Sequence, residues 1–246
     1  MQYKITIIFL ILIILYLFFA YGRIYNIIGS IGLGIPEGVQ TFVLNTNGNK
    51  SLKYVALGDS LTAGVGSSNA LNTLVYQNAM RLAKSGDKVT VDNLSVPGAT
   101  TAELIRDQLP NAAIENPDFV TLFIGVNDIH NGVTVSAFSV HLEQIIQSLQ
   151  YKTKAQILVY NLPYLGSNSL IYFPYNLLLD FQTQQYNNAI SYLTQKYQVK
   201  LIDLYSVSKK PFANDPAFYS QDMFHPSEKG YLLWGQLLDE HPGLMP

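Results

Sequence analysis

The chain of 246 residues contains no cysteine. This absence excludes a disulfide framework, a cysteine-ligated zinc or iron–sulfur site, and a cysteine nucleophile. Charged residues are also scarce, at 13% against about 25% in average globular chains. Because the net charge is -2 and the sequence pI is near 6.0, the chain lacks the basic surface typical of nucleic-acid-binding proteins. Hydrophobic residues make up 48% of the sequence, which is enough to bury a full-sized core and excludes disorder as the main state.

Residues Ile5 to Ala20 form an apolar run in which Thr6 is the only clear polar interruption. A helix from Ile5 to Gly22 would be about 27 Å long, just short of the ~30 Å hydrocarbon core of a bilayer. This length favours an uncleaved membrane anchor over a cleaved signal peptide, although Ala20-Tyr21-Gly22 is a small-x-small cleavage sequence. A buried core helix would show a polar face, which this run lacks. Both favoured interpretations export the rest of the chain, either anchored in the membrane or secreted after cleavage.

The sequence divides into three parts. Residues 1–22 are predicted to be a membrane anchor or signal segment. Residues 23–50 are rich in glycine and show no sustained period of 2 or 3.6, which predicts a juxtamembrane linker. Residues 51–246 have the length and composition of one folded domain.

In this domain, strand-like segments alternate with helical ones. The predicted strands are 53–57, 88–96, 119–124, 156–160 and 200–203. The predicted helices cover roughly 71–85, 101–108, 135–151, 179–197 and 227–238. Apolar strands separated by helices form βαβ units. We therefore expect a three-layer α/β/α fold with a five-stranded parallel sheet, flavodoxin-like strand order, and ligands at the carboxyl ends of the strands.

Three predicted strand ends carry groups suited to serine chemistry. Ser60, in the turn GDSL, would expose its hydroxyl and its backbone N–H above the sheet. Gly98 precedes the next helix, where a bare N–H can face a developing negative charge. Asn127 could donate its side-chain amide to the same charge. Each also has an ordinary explanation, as a polar turn, a glycine with positive φ, or a helix N-cap.

A histidine with a nearby carboxylate lies close to the carboxyl end. Asp222 precedes His225 by three residues, so its carboxylate can reach Nδ1–H and leave Nε2 free as a base. The other interpretation is an N-capping loop with a partly exposed histidine. Taken together, the four turns supply a nucleophile, oxyanion donors, a base and its orienting carboxylate, which predicts serine-dependent acyl transfer.

These motifs, in this order, resemble the SGNH (GDSL) hydrolase superfamily. Ser60 matches the block I serine, Gly98 the block II glycine, Asn127 the asparagine of GxND in block III, and His225 the histidine of DxxH in block V. The match covers roughly residues 53–240, and the segments YVALGDSLT and HPS are similar to the lysophospholipase-like branch. The G-x-S-x-G sequence of ordinary α/β-hydrolases is absent.

The resemblance implies an SGNH hydrolase fold and a Ser60–His225–Asp222 triad. It also implies an oxyanion hole made by the Ser60 and Gly98 amides and the Asn127 side chain. The activity implied is that of a carboxylic ester hydrolase with an acyl-serine intermediate. No P-loop lysine and no HExxH spacing occur, so we expect neither a metal nor another cofactor.

The substrate is less well determined. The apolar segment 164–181 follows the fourth predicted strand and would form either an acyl cleft or a packed loop over the core. We expect substrate contacts from Leu165, Tyr172, Phe173 and Tyr175. Together with the predicted anchor, this segment favours lipid or lysophospholipid esters, and short-chain acyl esters are a further candidate for the same esterase activity.

Other functions stay open at this stage. O-acetyl esters of a cell-surface glycan are the main alternative substrate, and an O-acyltransferase would use a sugar hydroxyl in place of water. A non-catalytic binding module on the same scaffold is a third possibility. The expected partners are the ester substrate and the membrane, through the N-terminal helix, and not nucleic acid. The sequence leaves the oligomeric state open.

Overall fold

A six-stranded sheet forms the centre of the molecule, in a computed structural model that describes residues 2–28 and 31–240. Its strands are β1 (Thr41–Leu44), β2 (Ser51–Gly58), β3 (Lys88–Asn93), β4 (Phe119–Phe123), β5 (Gln156–Tyr160) and β6 (Lys200–Ile202). The order across the sheet is β1-β3-β2-β4-β5-β6, and β2 to β6 run parallel. Without β1 this is the flavodoxin-like order. The predicted α/β fold is confirmed.

The predicted strand count of five is wrong, because β1 adds a sixth strand. It lies within residues 23–50, which the sequence predicts to be a linker, and pairs antiparallel with β3 at the edge of the sheet. Its four residues alternate between exposed and half-buried positions. Such a short edge strand, followed by an Asn-Thr-Asn-Gly turn, has too few residues to establish a period in the sequence.

Helices flank the sheet on both sides, and one more helix precedes it in the chain. They are α1 (Gln2–Ile28), α2 (Ser60–Ala63), α3 (Leu74–Leu82), α4 (Thr101–Glu103), α5 (Leu109–Ile114), α6 (Val126–His130), α7 (Val135–Lys152), α8 (Tyr175–Lys196), α9 (Leu204–Asn214) and α10 (Glu228–Glu240). A π-helical turn (Leu104–Gln108) joins α4 to α5. One layer contains α3, α9 and α10, and the other contains α5, α7 and α8. The last residues of the predicted domain, 241–246, lie outside the described residues.

The core holds the loop between α9 and α10 against the sheet. All five residues of β4 are buried, as expected for a strand covered on both faces. Trp234 of α10 packs edge-on against Phe123 of β4, with ring centroids 5.8 Å apart, and stacks on Phe212 of α9 at 5.6 Å. Because these ring contacts hold α9 and α10 against β4, they also set the positions of the two ends of the loop between these helices.

The N-terminal helix α1 is apolar and long enough to cross a membrane. Its segment Tyr3–Ile24 has a mean hydropathy of 2.7, and 6% of the most apolar window is buried in the protein. The predicted N-terminal hydrophobic helix is therefore present. Its carboxyl-terminal part contacts the domain, and Ala20 is fully buried there.

Candidate active site

Ser60 is the first residue of α2, just beyond the carboxyl end of β2. Asp59 caps this short helix, because its carboxylate accepts a hydrogen bond from the Leu61 N–H at 3.0 Å. Asp59 is fully buried, and this burial raises the pKa of its carboxyl group to about 7. Its Oδ2 atom has no hydrogen-bond partner within the described residues. The turn thus places the Ser60 hydroxyl above the sheet, while the neighbouring Asp59 carboxyl group is buried.

Gln108 holds the end of β2 in place. Its side-chain amide donates to the Gly58 carbonyl at 2.8 Å and accepts from the Gly58 N–H at 3.0 Å. Gly58 is two residues before Ser60, so this paired contact fixes the backbone from which the nucleophile turn starts. The sequence prediction missed Gln108, because a glutamine in a helical segment is usually a surface residue.

His225 joins Ser60 to Asp222. Its Nε2 lies 2.9 Å from Ser60 Oγ, and its Nδ1 lies 2.5 Å from Asp222 Oδ2. Burial favours a raised pKa for Asp222, but the hydrogen bond and charge of His225, with further donors, bring it down to about 2. The carboxylate is therefore ionised at neutral pH, so Nδ1 carries the proton. Nε2 then accepts a hydrogen bond from the Ser60 hydroxyl.

Asp222 also shapes the loop that carries His225. Its Oδ1 accepts hydrogen bonds from the Ser220 hydroxyl at 2.8 Å and from the N–H groups of Phe224 and His225, both at 2.9 Å. The side chain is only 3% exposed. A buried carboxylate with this many donors is held in one orientation. Ser220 is a further site residue that the sequence prediction missed.

The serine turn and the histidine loop meet through Gly66. This residue has φ +97°, and a Cβ placed on it would lie 2.4 Å from the Pro226 carbonyl oxygen and 3.1 Å from His225 Cβ. Both the left-handed backbone and the close approach require glycine. The glycine-rich turn after GDSL therefore allows the two loops to come within hydrogen-bonding reach of each other.

Gly98 and Asn127 lie on neighbouring loops at the same edge of the sheet. Asn127 Nδ2 donates to the carbonyl of Ala99 at 3.1 Å, which ties α6 to the residue after Gly98. The Val96 N–H donates to the Gly58 carbonyl at 3.1 Å, which ties the same loop to the end of β2. Gly98 has φ +83°, and a Cβ there would meet no atom within 4 Å. Its N–H, like that of Ser60, has no acceptor within the described residues.

Asp128 links these two loops, and the sequence prediction did not include it. Its fully buried carboxylate accepts from the Thr101 N–H at 2.9 Å and from the Thr101 hydroxyl at 2.5 Å. Burial raises the pKa of this carboxyl group, and the Thr101 hydrogen bonds oppose that effect. His141 Nδ1 lies 3.0 Å from the Thr101 hydroxyl. Among residues 2–28 and 31–240, no group of three or more acidic or histidine side chains is arranged to hold a metal ion.

An apolar cavity of about 480 Å³ lies beside this site. Its wall combines residues of α1, α6 and α8 with part of the loop before α8, among them Ile24, Ile129, His130, Ile171, Leu178 and Leu179. His130 packs on Phe224 with ring centroids 5.1 Å apart, and Phe224 packs edge-on against His225 at 5.4 Å. Burial and the charge of His225 lower the pKa of His130. One end of the cavity therefore adjoins the histidine loop.

The four predicted substrate-contact residues occupy different places. Tyr175 lines the cavity. Leu165 is buried in the core. Tyr172 packs against Arg23, whose guanidinium lies 5.1 Å from the ring centroid, and Phe173 is 63% exposed beside α1. The structure brings Tyr175 to the cavity wall, and it places the other three in the core or next to α1.

The chain is similar to a known protein family and to several solved structures. A model of the GDSL-like Lipase/Acylhydrolase family matches residues 56–233. A lipase/acylhydrolase from Enterococcus faecalis is 25% identical, with a TM-score of 0.62 over 77% of this chain and 94% of that one. The acetylxylan esterase Axe2 from Geobacillus stearothermophilus is 20% identical, with a TM-score of 0.64 over 79% and 96% of the two chains.

A further solved structure, a member of the lipolytic protein G-D-S-L family from Veillonella parvula, is 19% identical. Its TM-score is 0.62 over 76% of this chain and 96% of that one. The search of curated proteins found no match. The family model covers well over half of the chain and includes Ser60, Asn127 and the loop that carries His225. The chain therefore belongs to the GDSL-like lipase/acylhydrolase family and is a carboxylic ester hydrolase.

Proposed function

We propose that the chain cleaves its ester through an acyl-enzyme on Ser60. His225 Nε2 takes the hydroxyl proton as Ser60 Oγ bonds to the ester carbonyl carbon. The tetrahedral intermediate then collapses, the bond from carbonyl carbon to the alcohol oxygen breaks, and His225 returns the proton to the leaving alcohol. Water repeats the sequence on the acyl-enzyme and releases the acid. Asp222 stabilises the imidazolium that forms in each half of the reaction.

The negative charge on the carbonyl oxygen needs donors that already face it. We assign the N–H groups of Ser60 and Gly98 and the Asn127 amide to this role. Asn127 uses one amide hydrogen on the Ala99 carbonyl, which leaves its second hydrogen for the oxyanion. In comparable enzymes, loss of one such donor lowers kcat by roughly 10²–10³-fold.

The observation that carries this proposal is the continuous hydrogen-bond chain from Ser60 through His225 to Asp222, with distances of 2.9 and 2.5 Å. The direct test compares turnover of p-nitrophenyl acetate and butyrate by the full-length protein and by Ser60→Ala. The variant should lose nearly all activity. Ser95→Ala is a matched control, because Ser95, like Ser60, is half-buried and lies two residues beyond the end of a strand, but it bonds Asn93 instead of a histidine. Equal rates for wild type and Ser60→Ala would end the nucleophile assignment.

For the substrate, we propose an ester with an apolar acyl chain, such as that of a lysophospholipid. The support is the cavity beside the histidine loop, whose volume of about 480 Å³ lies within the usual range for ligand pockets and whose wall is mostly apolar. An acetyl group would leave most of this apolar surface without a partner. The acetylxylan esterase Axe2 shares the fold of this chain at 20% identity, which does not indicate a common substrate.

Chain-length preference tests this choice. With p-nitrophenyl esters from acetate to palmitate, kcat/KM should rise with chain length as methylenes leave water for the cavity. Each buried methylene contributes about 0.8 kcal/mol, so two added methylenes should raise kcat/KM by about 15-fold until the cavity is full. A preference for acetate would contradict the lipid assignment and favour a glycan O-acetyl ester. Acyl transfer to an added glycan in excess of hydrolysis would favour an O-acyltransferase.

We also propose that α1 is retained as a membrane anchor and that the catalytic domain is exported. The support is the packing of α1 on the domain: Ala20, at the small-x-small sequence, is fully buried, and Tyr21 and Ile24 line the cavity. Cleavage there would remove part of the packed surface. The mass of the mature protein from the membrane fraction should therefore include residues 2–22. A mature chain that begins at residue 21 or later would contradict this.

A further inference from the structure

The first turns of α8 and the residues just before them carry an exposed apolar patch. We define the patch as Phe173, Leu177, Leu178 and Phe181, whose side chains are between 54% and 63% exposed. Leu177 and Phe181 lie four residues apart and therefore share one face of the helix. Farther along α8, the next exposed side chains are polar: Gln182, Gln184, Gln185 and Asn188. The exposed apolar side chains at the end of α8 next to α1 are thus separated by polar ones from Tyr192, the next exposed aromatic residue of the helix.

Contacts with α1 fix the position of the patch along that helix. The Tyr16 hydroxyl donates to the Phe173 carbonyl at 2.9 Å. Nearer the end of the apolar run, the Arg23 guanidinium donates to the Ser169 carbonyl at 3.0 Å. Between these two levels, Phe19 packs on Tyr172 with ring centroids 6.4 Å apart. The loop before α8 therefore runs alongside the last two turns of the apolar segment instead of meeting only its end.

These contacts set the depth at which the loop before α8 lies in a bilayer that α1 crosses. Arg23 is the first charged residue after the apolar run, and a charged side chain at the end of a membrane helix reaches the lipid headgroups. Seven residues separate it from Tyr16, which corresponds to about 10 Å along the helix axis. Half of the hydrocarbon core is about 15 Å thick. If α1 crosses the bilayer, the Phe173 backbone therefore lies inside the same leaflet, with its carbonyl paired to the Tyr16 hydroxyl.

We propose that the patch inserts into the bilayer leaflet beside α1 and that its partner is the acyl-chain region of the lipids. This rests on the retained anchor proposed above. Phe173 is at the depth of Tyr16, and the other large apolar side chains of the patch, which would be costly in water, continue from it along the first turns of α8. The charged neighbour Asp180 does not oppose insertion, because it pairs with Lys209 at 3.1 Å and accepts from the Tyr205 hydroxyl at 2.7 Å.

The patch and the cavity share one residue, Leu178. Leu178 is 54% exposed in the patch and lines the cavity. The cavity wall also includes His130, which packs against Phe224, next to His225. An acyl chain could therefore pass from the leaflet along Leu178 toward the histidine loop without crossing bulk water. The inferred route is lateral entry of the lipid substrate from the membrane.

Tryptophan fluorescence in vesicles tests the insertion independently of catalysis. The full chain has one tryptophan, Trp234, which is 1% exposed and gives the baseline emission. The two variants are Phe181→Trp in the patch and Tyr192→Trp, which replaces a side chain 63% exposed on the same helix. Eleven residues separate the two positions, or about 16 Å along α8. Each is reconstituted into dioleoylphosphatidylcholine vesicles with and without brominated acyl chains.

The proposal predicts that the brominated lipid quenches most of the emission added by Phe181→Trp and little of that added by Tyr192→Trp. Equal quenching of the two would overturn it. A retained activity on soluble p-nitrophenyl acetate shows that each variant is folded. Because quenching does not require turnover, its failure is distinguishable from failure of the proposed ester hydrolysis.

A kinetic experiment tests the lateral route. Phe181→Asn should lower turnover of a palmitoyl ester embedded in vesicles by roughly tenfold or more, since it removes a large apolar side chain that the proposal places among the lipid acyl chains. It should leave p-nitrophenyl acetate turnover unchanged, because Phe181 does not line the cavity. Tyr192→Asn is the matched control and should change neither rate. A parallel loss of both activities in Phe181→Asn would contradict the role of the patch in lipid access.

Discussion

Replacement of Asp128 probes how the oxyanion donors are held in position. In Asp128→Ala, Thr101 loses both of its hydrogen bonds to the carboxylate, which measure 2.9 and 2.5 Å. Thr101 follows Gly98 by three residues, and Asp128 follows Asn127 directly. One buried carboxylate therefore sets the distance between two of the three proposed oxyanion donors.

The magnitude follows from these contacts. Each hydrogen bond to a charged group contributes about 1.5–3 kcal/mol, and the buried Thr101 N–H would be left without a partner. We therefore expect Asp128→Ala to lower the free energy of unfolding by several kcal/mol. If the loop shift misplaces one donor, kcat should fall by roughly 10²-fold, with little change in KM because the donor acts mainly in the transition state.

Asp128→Asn separates geometry from charge. Its Oδ1 can accept from the Thr101 N–H while its Nδ2 donates to the Thr101 hydroxyl, which in turn donates to His141 Nδ1. We expect this variant to recover most of kcat. The assay is steady-state hydrolysis of p-nitrophenyl butyrate together with urea unfolding, and Asp107→Ala serves as an exposed control. A stable Asp128→Ala protein with wild-type kcat would refute the positioning role.

Two further predictions concern the turn that carries the nucleophile. Gln108→Met keeps the length of the side chain but leaves the Gly58 N–H without its partner, so the free energy of unfolding should fall by about 1–3 kcal/mol. The exposed control Gln144→Met should stay within about 0.5 kcal/mol of wild type. Burial raises the pKa of Asp59 from 3.8 to about 7. The folded protein therefore holds this proton more tightly, and the contribution of Asp59 to stability should fall by about 3 kcal/mol as the pH rises from 4 to 7. Asp59→Asn should remove that slope in urea unfolding at pH 4, 5.5 and 7, and an unchanged slope would contradict the buried, protonated carboxyl group.

The parallel sheet was predictable because its signals are local. The apolar runs of β2, β4 and β5 are buried on both faces, and each is followed within a few residues by a turn. Ser60, Gly98 and Asn127 follow β2, β3 and β4, and the rule that ligands bind at the carboxyl ends of parallel strands places them at one edge. The sequence could not fix the distances between them, which depend on packing.

The features that the sequence prediction missed have no recognisable pattern in the neighbouring sequence. Helix α9 contains Pro211, which usually argues against a helix interior. Gln108 lies in a π-helical turn, and its partner Gly58 is 50 residues away. The contact between Tyr16 and Phe173 joins residues 157 positions apart. A buried carboxylate such as Asp128 looks in sequence like an ordinary helix cap.

Covalent labelling of Ser60 tests the central claim most directly. The full-length protein is incubated with a fluorophosphonate probe, and the modified residue is located by peptide mass spectrometry. A single adduct should form on Ser60, because His225 removes its proton while the oxyanion donors stabilise the charged phosphonyl oxygen. Ser60→Ala should take up no probe, and His225→Ala should react far more slowly. An unlabelled wild-type protein, or an adduct on another residue, would contradict the account.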